Sequence, residues 1–179
     1  MVTSESDLKM LLKALAFAAH KHSDQRRKDV ESSPYINHPI SLASILCNEG
    51  HVTDTEVICA ALLHDTVEDT DTTAEELEQE FSPAIRHIVM DVTDDKTLGK
   101  AERKQRQVDH AAHISDQAKL VKLADKISNL REVAGNPPAG WSVERRQAYF
   151  DWAKSVIDRL RGVHGPLEDL FDSEYANRP

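Results

Sequence analysis

The stretch TDTEVICAALLHDTVED, residues 53–69, predicts a helix whose apolar body ends in a group of ionisable side chains. Thr53, followed three residues later by Glu56, is typical of a capping box at a helix start. Burying several ionisable groups costs several kcal/mol each unless something pairs with them. The end of this helix is therefore either solvated or organised around a cation.

The spacing of the ionisable residues favours the cation. On a continuous helix over residues 56–69, His64 and Glu68 lie one turn apart, and so do Asp65 and Asp69. An imidazole and a carboxylate are then adjacent, with two more carboxylates one turn further on. A divalent metal would explain that concentration.

The rest of the chain repeats the helical pattern. Apolar residues recur at spacings of three and four almost everywhere, and Gly and Pro are sparse, with 6 and 7 copies in 179 residues. Start and stop signals include Pro39, Gly50, and Ser82 followed by Pro83. We predict one all-α domain over residues 1–179. Besides the helix at 53–69, its helices are expected at about 5–22, from Pro39 towards Gly50, and at about 72–81, 82–94, 99–112, 115–133 and 142–162.

Composition excludes several classes of function. The net charge of −9 argues against general binding to nucleic acid or to an anionic membrane, because both surfaces would repel the protein. It leaves room for a small anionic ligand in a local basic pocket. The two cysteines, Cys47 and Cys59, lie within apolar helical patterns and are expected to be reduced core residues of a cytoplasmic protein. We find no signal peptide, no membrane span and no sign of an obligate protein partner.

Two further residues could complete a metal site with His64 and Asp65. His38 precedes a proline at a helix start, and Asp125 is an acidic residue in an otherwise apolar helical stretch. Two imidazoles and two carboxylates suit manganese, iron, cobalt or zinc better than calcium or a structural zinc. Such a metal lowers the pKa of a bound water from 15.7 towards ~7, which makes it a nucleophile at neutral pH.

The acidic residues beside these ligands have a role in the same hypothesis. Glu68 and Asp69, where they are not ligands, are placed to orient or deprotonate the water. The residues alone thus point to a hydrolase. Each of them also has an ordinary structural interpretation: His38 as a helix-start histidine, Asp125 as a partner of a nearby Lys or Arg, and the acidic group as a solvated helix end. Spacing alone leaves the two interpretations open.

Longer strings carry a resemblance to a known family. They are PYINHPI (34–40), ALLHDTVEDTDTT (61–73), VTDDKT (92–97), ERKQRQ (102–107) and AKLVKLADKISNLR (118–131). Together they resemble the hydrolase domain of the RelA/SpoT family, a branch of the HD superfamily, over residues 8–160. The likeness is greatest to its small stand-alone hydrolases, those of animals in particular, because no synthetase or regulatory domain follows. The resemblance implies an HD-type helical bundle of about eight to ten helices.

The same resemblance implies a metal site and its catalytic residues. It makes Mn²⁺ the cofactor and Glu68 with Asp69 the acids that position and activate the attacking water. It makes Asn129, Arg27 and Lys28 contacts of the nucleotide, with the Arg27 guanidinium able to stack on a base. Its metal ligands are His38, His64, Asp65 and Asp125.

Basic clusters support a phosphorylated ligand despite the negative net charge. They lie in QRRK (25–28) and in KTLGKAERKQRQ (96–107). Because a diphosphate beside a metal needs cations, we expect Lys100 and Arg103 to contact phosphate, although a solvated basic helix face explains that cluster equally well. Tyr149 could reach the ligand, although an aromatic residue at that position is more often part of the core.

The reaction that the resemblance implies is hydrolysis of guanosine 3′,5′-bis(diphosphate), ppGpp, to GDP and pyrophosphate. An alternative keeps the site and changes the ligand to a nucleotide with a 2′- or 3′-phosphate on its ribose, such as NADPH. A second alternative is a nucleotide sensor without catalysis. It is disfavoured because every expected ligand and both acids are present.

Overall fold

The part of the chain that the computed structural model describes, residues 4–179, is a bundle of α-helices without a β-strand. A π-helical turn at Ile45–Glu49 extends the second helix. The all-α prediction of about eight to ten helices is confirmed. The helices are α1 (Glu5–Lys21), α2 (Asn37–Ser44), α3 (Thr55–Leu63), the single turn α4 (Thr66–Asp69), α5 (Ala74–Glu80), α6 (Pro83–Val92), α7 (Lys100–His110), α8 (Asp116–Gly135), α9 (Val143–Ile157) and α10 (Gly165–Tyr175).

Helix α3 lies at the centre of the bundle. Every residue from Val57 to Leu63 is buried, so this helix is apolar all round rather than on one face. It packs against α1, α2, α6 and α8, and these helices supply most of the remaining core. Whatever follows the C-terminus of α3 is therefore held at the junction of several helices.

The helix starts show which local signals were read correctly. Ser82 caps α6 by accepting a hydrogen bond from the Ile85 N–H, and Pro83 occupies the first turn, as predicted. The prediction that Thr53 caps α3 was wrong. Asp54 is the cap, and its carboxylate accepts the N–H groups of Glu56 and Val57.

The C-terminal region differs from the predicted single helix at 142–162. Helix α9 ends at Ile157, and a separate helix, α10, follows from Gly165. Arg131 of α8 links α10 to the π-helical turn after α2, because its guanidinium binds Glu174 and Glu49, each at 2.8 Å.

Both cysteines carry free thiols. Cys59 is buried as predicted, whereas Cys47 is only half-buried, because the π-helical turn places it at the edge of the core. No helix within residues 4–179 combines the length and the apolar character that crossing a membrane requires.

Candidate active site

Three helices bring the predicted metal ligands together. His38 is the second residue of α2, His64 and Asp65 directly follow α3, and Asp125 lies in the middle of α8. Because α2, α3 and α8 pack against one another, His38, the adjacent pair His64–Asp65 and Asp125 converge on one cleft, although up to 87 residues separate them in the sequence.

The prediction of one continuous helix over 56–69 was wrong at its C-terminal end, where the predicted ligands lie. Helix α3 stops at Leu63, and α4 begins at Thr66. The hydroxyl of Thr66, which is fully buried, donates to the Leu63 carbonyl at 2.7 Å and thereby satisfies a carbonyl left free at the helix end. His64 and Asp65 therefore lie in a turn between two helices.

His38, His64 and Asp65 form a compact trio. Each offers one ligand atom, and these atoms lie within 4.8 Å of one another. The Nδ1 of His64 lies 2.9 Å from the Ala61 carbonyl and donates to it, which leaves the lone pair of Nε2 facing the cleft. That Nε2 is 2.8 Å from Asp65 Oδ2, but it is buried and has no hydrogen-bond partner of acceptable geometry among the described residues. Two lone-pair-bearing atoms at this distance need a proton or a cation between them, so the trio fits a divalent metal.

The pKa values of the trio agree with this interpretation. Burial lowers the pKa of His38, which keeps the imidazole neutral and able to act as a ligand. Burial opposes charge on His64 as well, but the Asp65 carboxylate outweighs it and raises the His64 pKa overall. The pKa of Asp65 lies below its ordinary value, because its interactions with His64 and a hydrogen bond from Tyr35 outweigh its burial. A proton on His64 and a metal ion would compete for the same position.

Asp125 lies beside the trio rather than within it. Its Oδ1 is 3.3 Å from His38 Nε2 and accepts a 2.6 Å hydrogen bond from Asn129, one helical turn away. Its Oδ2 forms a 2.8 Å ion pair with the buried Lys126. The structure thus places Asp125 against His38 of the trio, and it places Asn129 against Asp125.

Glu68 and Asp69 extend from α4 into the same cleft. Glu68 accepts the Asp94 N–H at 3.1 Å, and burial raises the pKa of its carboxyl. The Asp69 side chain is bound by Lys96. The two acids therefore have different partners, and the surroundings of Glu68 favour proton uptake.

The part of the cleft around the trio and Glu68, called the metal end below, measures about 220 Å³. A larger space of about 480 Å³ adjoins it. The two share Arg27, Tyr35, Asp69 and Asn129, so they form one continuous cleft. Arg27 forms an ion pair with Glu132 of α8 and lies over the Tyr35 ring at 5.6 Å. Of the predicted nucleotide contacts, Lys28 and Tyr149 also line the larger end.

The two predicted phosphate contacts of α7 are placed differently. Arg103 is 3.8 Å from Glu68 and lines a smaller cavity of about 120 Å³ beside the metal end. Lys100 is exposed at the first residue of α7 and lines neither end of the cleft. A helix pattern gives the direction of a side chain only after the register of the helix against its neighbours is known, and sequence spacing does not supply that register.

Several residues that line the cleft were missed by the sequence reasoning. Tyr35 donates a hydrogen bond to Asp65, and its position three residues before His38 was a signal within PYINHPI. Trp141 and Pro138 line the larger end, where Trp141 packs on Tyr149 with ring centroids 5.8 Å apart. Trp141 directly follows GNPPAG (135–140), which lies between the helices expected at 115–133 and 142–162, and no site residue was assigned there.

Comparison with known families now bears on this arrangement. The model of a family described as the HD domain matches residues 14–150. The chain belongs to the HD-domain family. The match includes the complete trio and both acids, so the HD-domain assignment made from the sequence is confirmed.

Relatives of this HD domain cover its full length. A Danio rerio protein named guanosine-3′,5′-bis(diphosphate) 3′-pyrophosphohydrolase MESH1 is 56% identical over 97% of this chain and 96% of its own. The Homo sapiens protein of the same name is 53% identical over 97% of both chains. The solved structure of a metazoan orthologue of SpoT that hydrolyses ppGpp superposes with a TM-score of 0.92 at 47% identity, covering 99% of this chain and 98% of that one. The predicted relationship to the RelA/SpoT hydrolases is confirmed.

Proposed function

We propose that this protein hydrolyses ppGpp at its 3′-diphosphate with the help of a manganese ion. The observation that carries the proposal is the continuity of the cleft. Its narrow polar end contains the trio with Glu68, and its wider end is lined by aromatic and basic side chains. A phosphorylated nucleoside needs both ends at once. The names of the full-length relatives support this substrate class.

The proposed reaction forms one bond to phosphorus and breaks another. The hydroxyl of a water adds to the phosphorus attached to the ribose 3′-oxygen, and the bond between that phosphorus and the 3′-oxygen breaks. A proton ends on the 3′-oxygen, and the products are GDP and pyrophosphate. A divalent metal held by His38, His64, Asp65 and Asp125 would supply Lewis-acid stabilisation of the charge that develops on the phosphoryl oxygens.

The chain's own groups provide proton transfer and positioning. Glu68 takes the proton of the water, because its burial raises the pKa of its carboxyl towards that of a useful base. Asp69, held by Lys96 and by a 2.6 Å hydrogen bond from Gln25 to its backbone carbonyl, orients the water. Asn129, on the same face of α8 as Asp125, faces the ribose.

The wider end suits the nucleoside. Tyr149 and Trp141 offer ring faces on which a purine stacks, and the Arg27 guanidinium can stack on the base or bind a phosphate. Lys28 is exposed at the mouth of the cleft, where it attracts the 5′-phosphates. We place the protein in the cytoplasm, in agreement with the free thiols of Cys47 and Cys59.

Product analysis tests the proposal directly. Purified protein is supplied with Mn²⁺, and ppGpp and NADPH are offered in parallel at matched concentrations. We expect GDP and pyrophosphate from ppGpp, at a kcat/KM well above that for NADPH, with loss of activity after chelation and recovery with Mn²⁺ in preference to Mg²⁺ or Zn²⁺. The Asp65→Ala variant is the control for contaminating phosphatases.

Other outcomes would each correct a different part. Phosphate release from NADPH alone would keep the site and replace the substrate. Full recovery with Zn²⁺ and none with Mn²⁺ would replace the metal. A protein that binds ppGpp and metal but turns over neither nucleotide would be a sensor.

A further inference from the structure

Lys122 is a cation of the site that the sequence hypothesis left unassigned. It lies one turn before Asp125 and Lys126 on α8, and it lines the wall between the metal end of the cleft and the adjacent 120 Å³ cavity. Its ammonium donates to the Val92 carbonyl at 3.0 Å. Within residues 4–179 no carboxylate lies within 4.0 Å of it, whereas the neighbouring Lys126 forms a 2.8 Å ion pair with Asp125.

An ammonium with one neutral acceptor has capacity for an anion. A lysine carries three N–H donors, so two of those of Lys122 remain available. Burial and the positive charge of Lys126 lower the pKa of Lys122, and a bound anion would offset both effects. The partial burial of Lys122 makes that attraction stronger than it would be on the surface.

The adjacent cavity contains two further positively charged hydrogen-bond donors. Arg103 and Arg106 of α7 line it together with Lys122. The Nε of Arg103 is buried and has no hydrogen-bond partner in the part of the chain that the structure describes. Two arginines and a lysine are the residue types that bind phosphate oxygens in proteins.

The acidic residues of the same cavity already have partners. Asp94 accepts a 2.7 Å hydrogen bond from Gln107, Asp95 accepts from the Thr97 backbone and hydroxyl, and Asp91 accepts from the Ser115 N–H at 2.9 Å. These carboxylates therefore already accept hydrogen bonds within the fold, whereas the Lys122 ammonium has the Val92 carbonyl as its hydrogen-bond partner and forms no ion pair among the described residues. The volume of about 120 Å³ is roughly ten times the ~10–15 Å³ that one water needs, so the cavity can hold a phosphate group.

We infer that Lys122, with Arg103 and Arg106, forms a subsite for the outer phosphate of the 3′-diphosphate, beside the phosphorus that is attacked. This inference rests on the proposed function for its substrate and on the cavity for its location. The subsite makes the protein prefer a ribose diphosphate over a ribose monophosphate, because a monophosphate has no group to place between Lys122 and the two arginines. It also retains the pyrophosphate product until its contacts with these residues break.

Binding of inorganic pyrophosphate tests the subsite without any reaction. Calorimetric titration is carried out on the full chain after a chelator has removed bound metal. Pyrophosphate then neither binds to a metal ion nor extracts one from the protein. We expect pyrophosphate to bind the unaltered protein more tightly than inorganic phosphate does. Lys122→Met should weaken pyrophosphate binding at least tenfold and abolish the preference over phosphate.

Lys119→Met is the matched control. Lys119 lies one turn before Lys122 on α8, pairs with Asp116 at 2.9 Å and lines neither cavity, so its removal should change pyrophosphate affinity less than twofold. Lys122→Arg keeps the charge and should recover most of the affinity. Far-UV circular dichroism and thermal unfolding identify a variant that has lost its fold, in which case Lys122→Arg and Arg106→Met carry the comparison.

The outcomes separate this inference from the proposed function. Equal pyrophosphate affinity in Lys122→Met and Lys119→Met, or no binding to the unaltered protein, would overturn the subsite even where ppGpp is hydrolysed. Lys122-dependent pyrophosphate binding in a protein that does not hydrolyse ppGpp would keep the subsite and remove the proposed substrate. Where both hold, kcat/KM for ppGpp with Mn²⁺ should fall by about 100-fold or more in Lys122→Met.

Discussion

Replacing Glu68 by glutamine should separate catalysis from metal binding and from folding. The amide oxygen of the new side chain can still accept the Asp94 N–H, so the 3.1 Å hydrogen bond that orients residue 68 is retained. The change removes the basic carboxylate. Loss of general-base help lowers turnover by about 10²–10⁴-fold, which corresponds to about 3–5 kcal/mol in the activation barrier.

Stability should change little in the same variant. The 3.8 Å pair between Glu68 and Arg103 is long and partly exposed, so its loss costs at most about 1 kcal/mol. The raised pKa of Glu68 has the opposite effect: the folded state binds the proton more tightly than the unfolded state, so ionisation at neutral pH destabilises the fold, and a neutral amide removes that cost. The midpoint of thermal unfolding should therefore stay the same or rise slightly.

Three measurements on one preparation decide the matter. They are kcat and KM for ppGpp with Mn²⁺, metal content by mass spectrometry after desalting, and the thermal midpoint. The exposed Glu75 supplies a matched Glu→Gln control outside the cleft. Turnover within threefold of the unaltered protein would remove Glu68 from the mechanism, and loss of metal would make it a ligand instead of a base.

Three further changes test other parts of the structure. Asp65→Ala should lose metal and activity together, because the trio is left with two imidazoles; metal analysis after purification checks this, and retained metal would contradict it. Tyr35→Phe removes the phenol that hydrogen-bonds Asp65 and should weaken metal affinity by about 10–100-fold in a chelator competition, whereas unchanged affinity would limit Tyr35 to packing. Arg131→Met should destabilise the fold by about 1 kcal/mol in urea unfolding at pH 7, because it removes hydrogen bonds to Glu49 and Glu174. Since Arg131 lowers the pKa of Glu49, this stabilisation is present above about pH 4.5 and is lost as the pH falls through the lowered pKa, so the variant and the unaltered protein should converge in acid.

Local signals predicted much of the fold because they act within one turn of helix. The Ser82–Pro83 start of α6 could be predicted from two residues. Ser82 supplies the cap, and Pro83 lacks an N–H that the first helical turn leaves without a partner in any case. The choice between Thr53 and Asp54 was not, because both side chains can cap and only the backbone conformation decides which one does. Helix α10 was not predicted, although Gly162 and the Gly165–Pro166 pair mark a break and a helix start before it. Its position against α8 depends on packing, which these local signals do not encode.

Contacts between distant residues account for what the sequence left out of the site. Arg27 was expected at the nucleotide, but its pairing with Glu132, 105 residues later, depends on how the loop after α1 folds back on α8. An isolated bridge between Arg26 and Pro34 closes that loop, and neither residue type indicates it in advance. Trp141 reaches the cleft through the loop between α8 and α9, whose path no periodic pattern encodes.

The interruption of the helix at His64 and Asp65 has a physical reason in the chemistry of the site. On a continuous helix, consecutive side chains point about 100° apart, which would direct these two ligands to different faces. In the structure His64 keeps helical angles, φ −55° and ψ −34°, whereas Asp65 has φ −100° and ψ 0°, in the sparsely populated bridge region where many active-site residues lie. This turn brings Asp65 Oδ2 to 2.8 Å from His64 Nε2, so two neighbours in the sequence can bind one ion. The local pattern predicted the helix correctly up to Leu63 and failed at His64 and Asp65, the two residues that the break brings together.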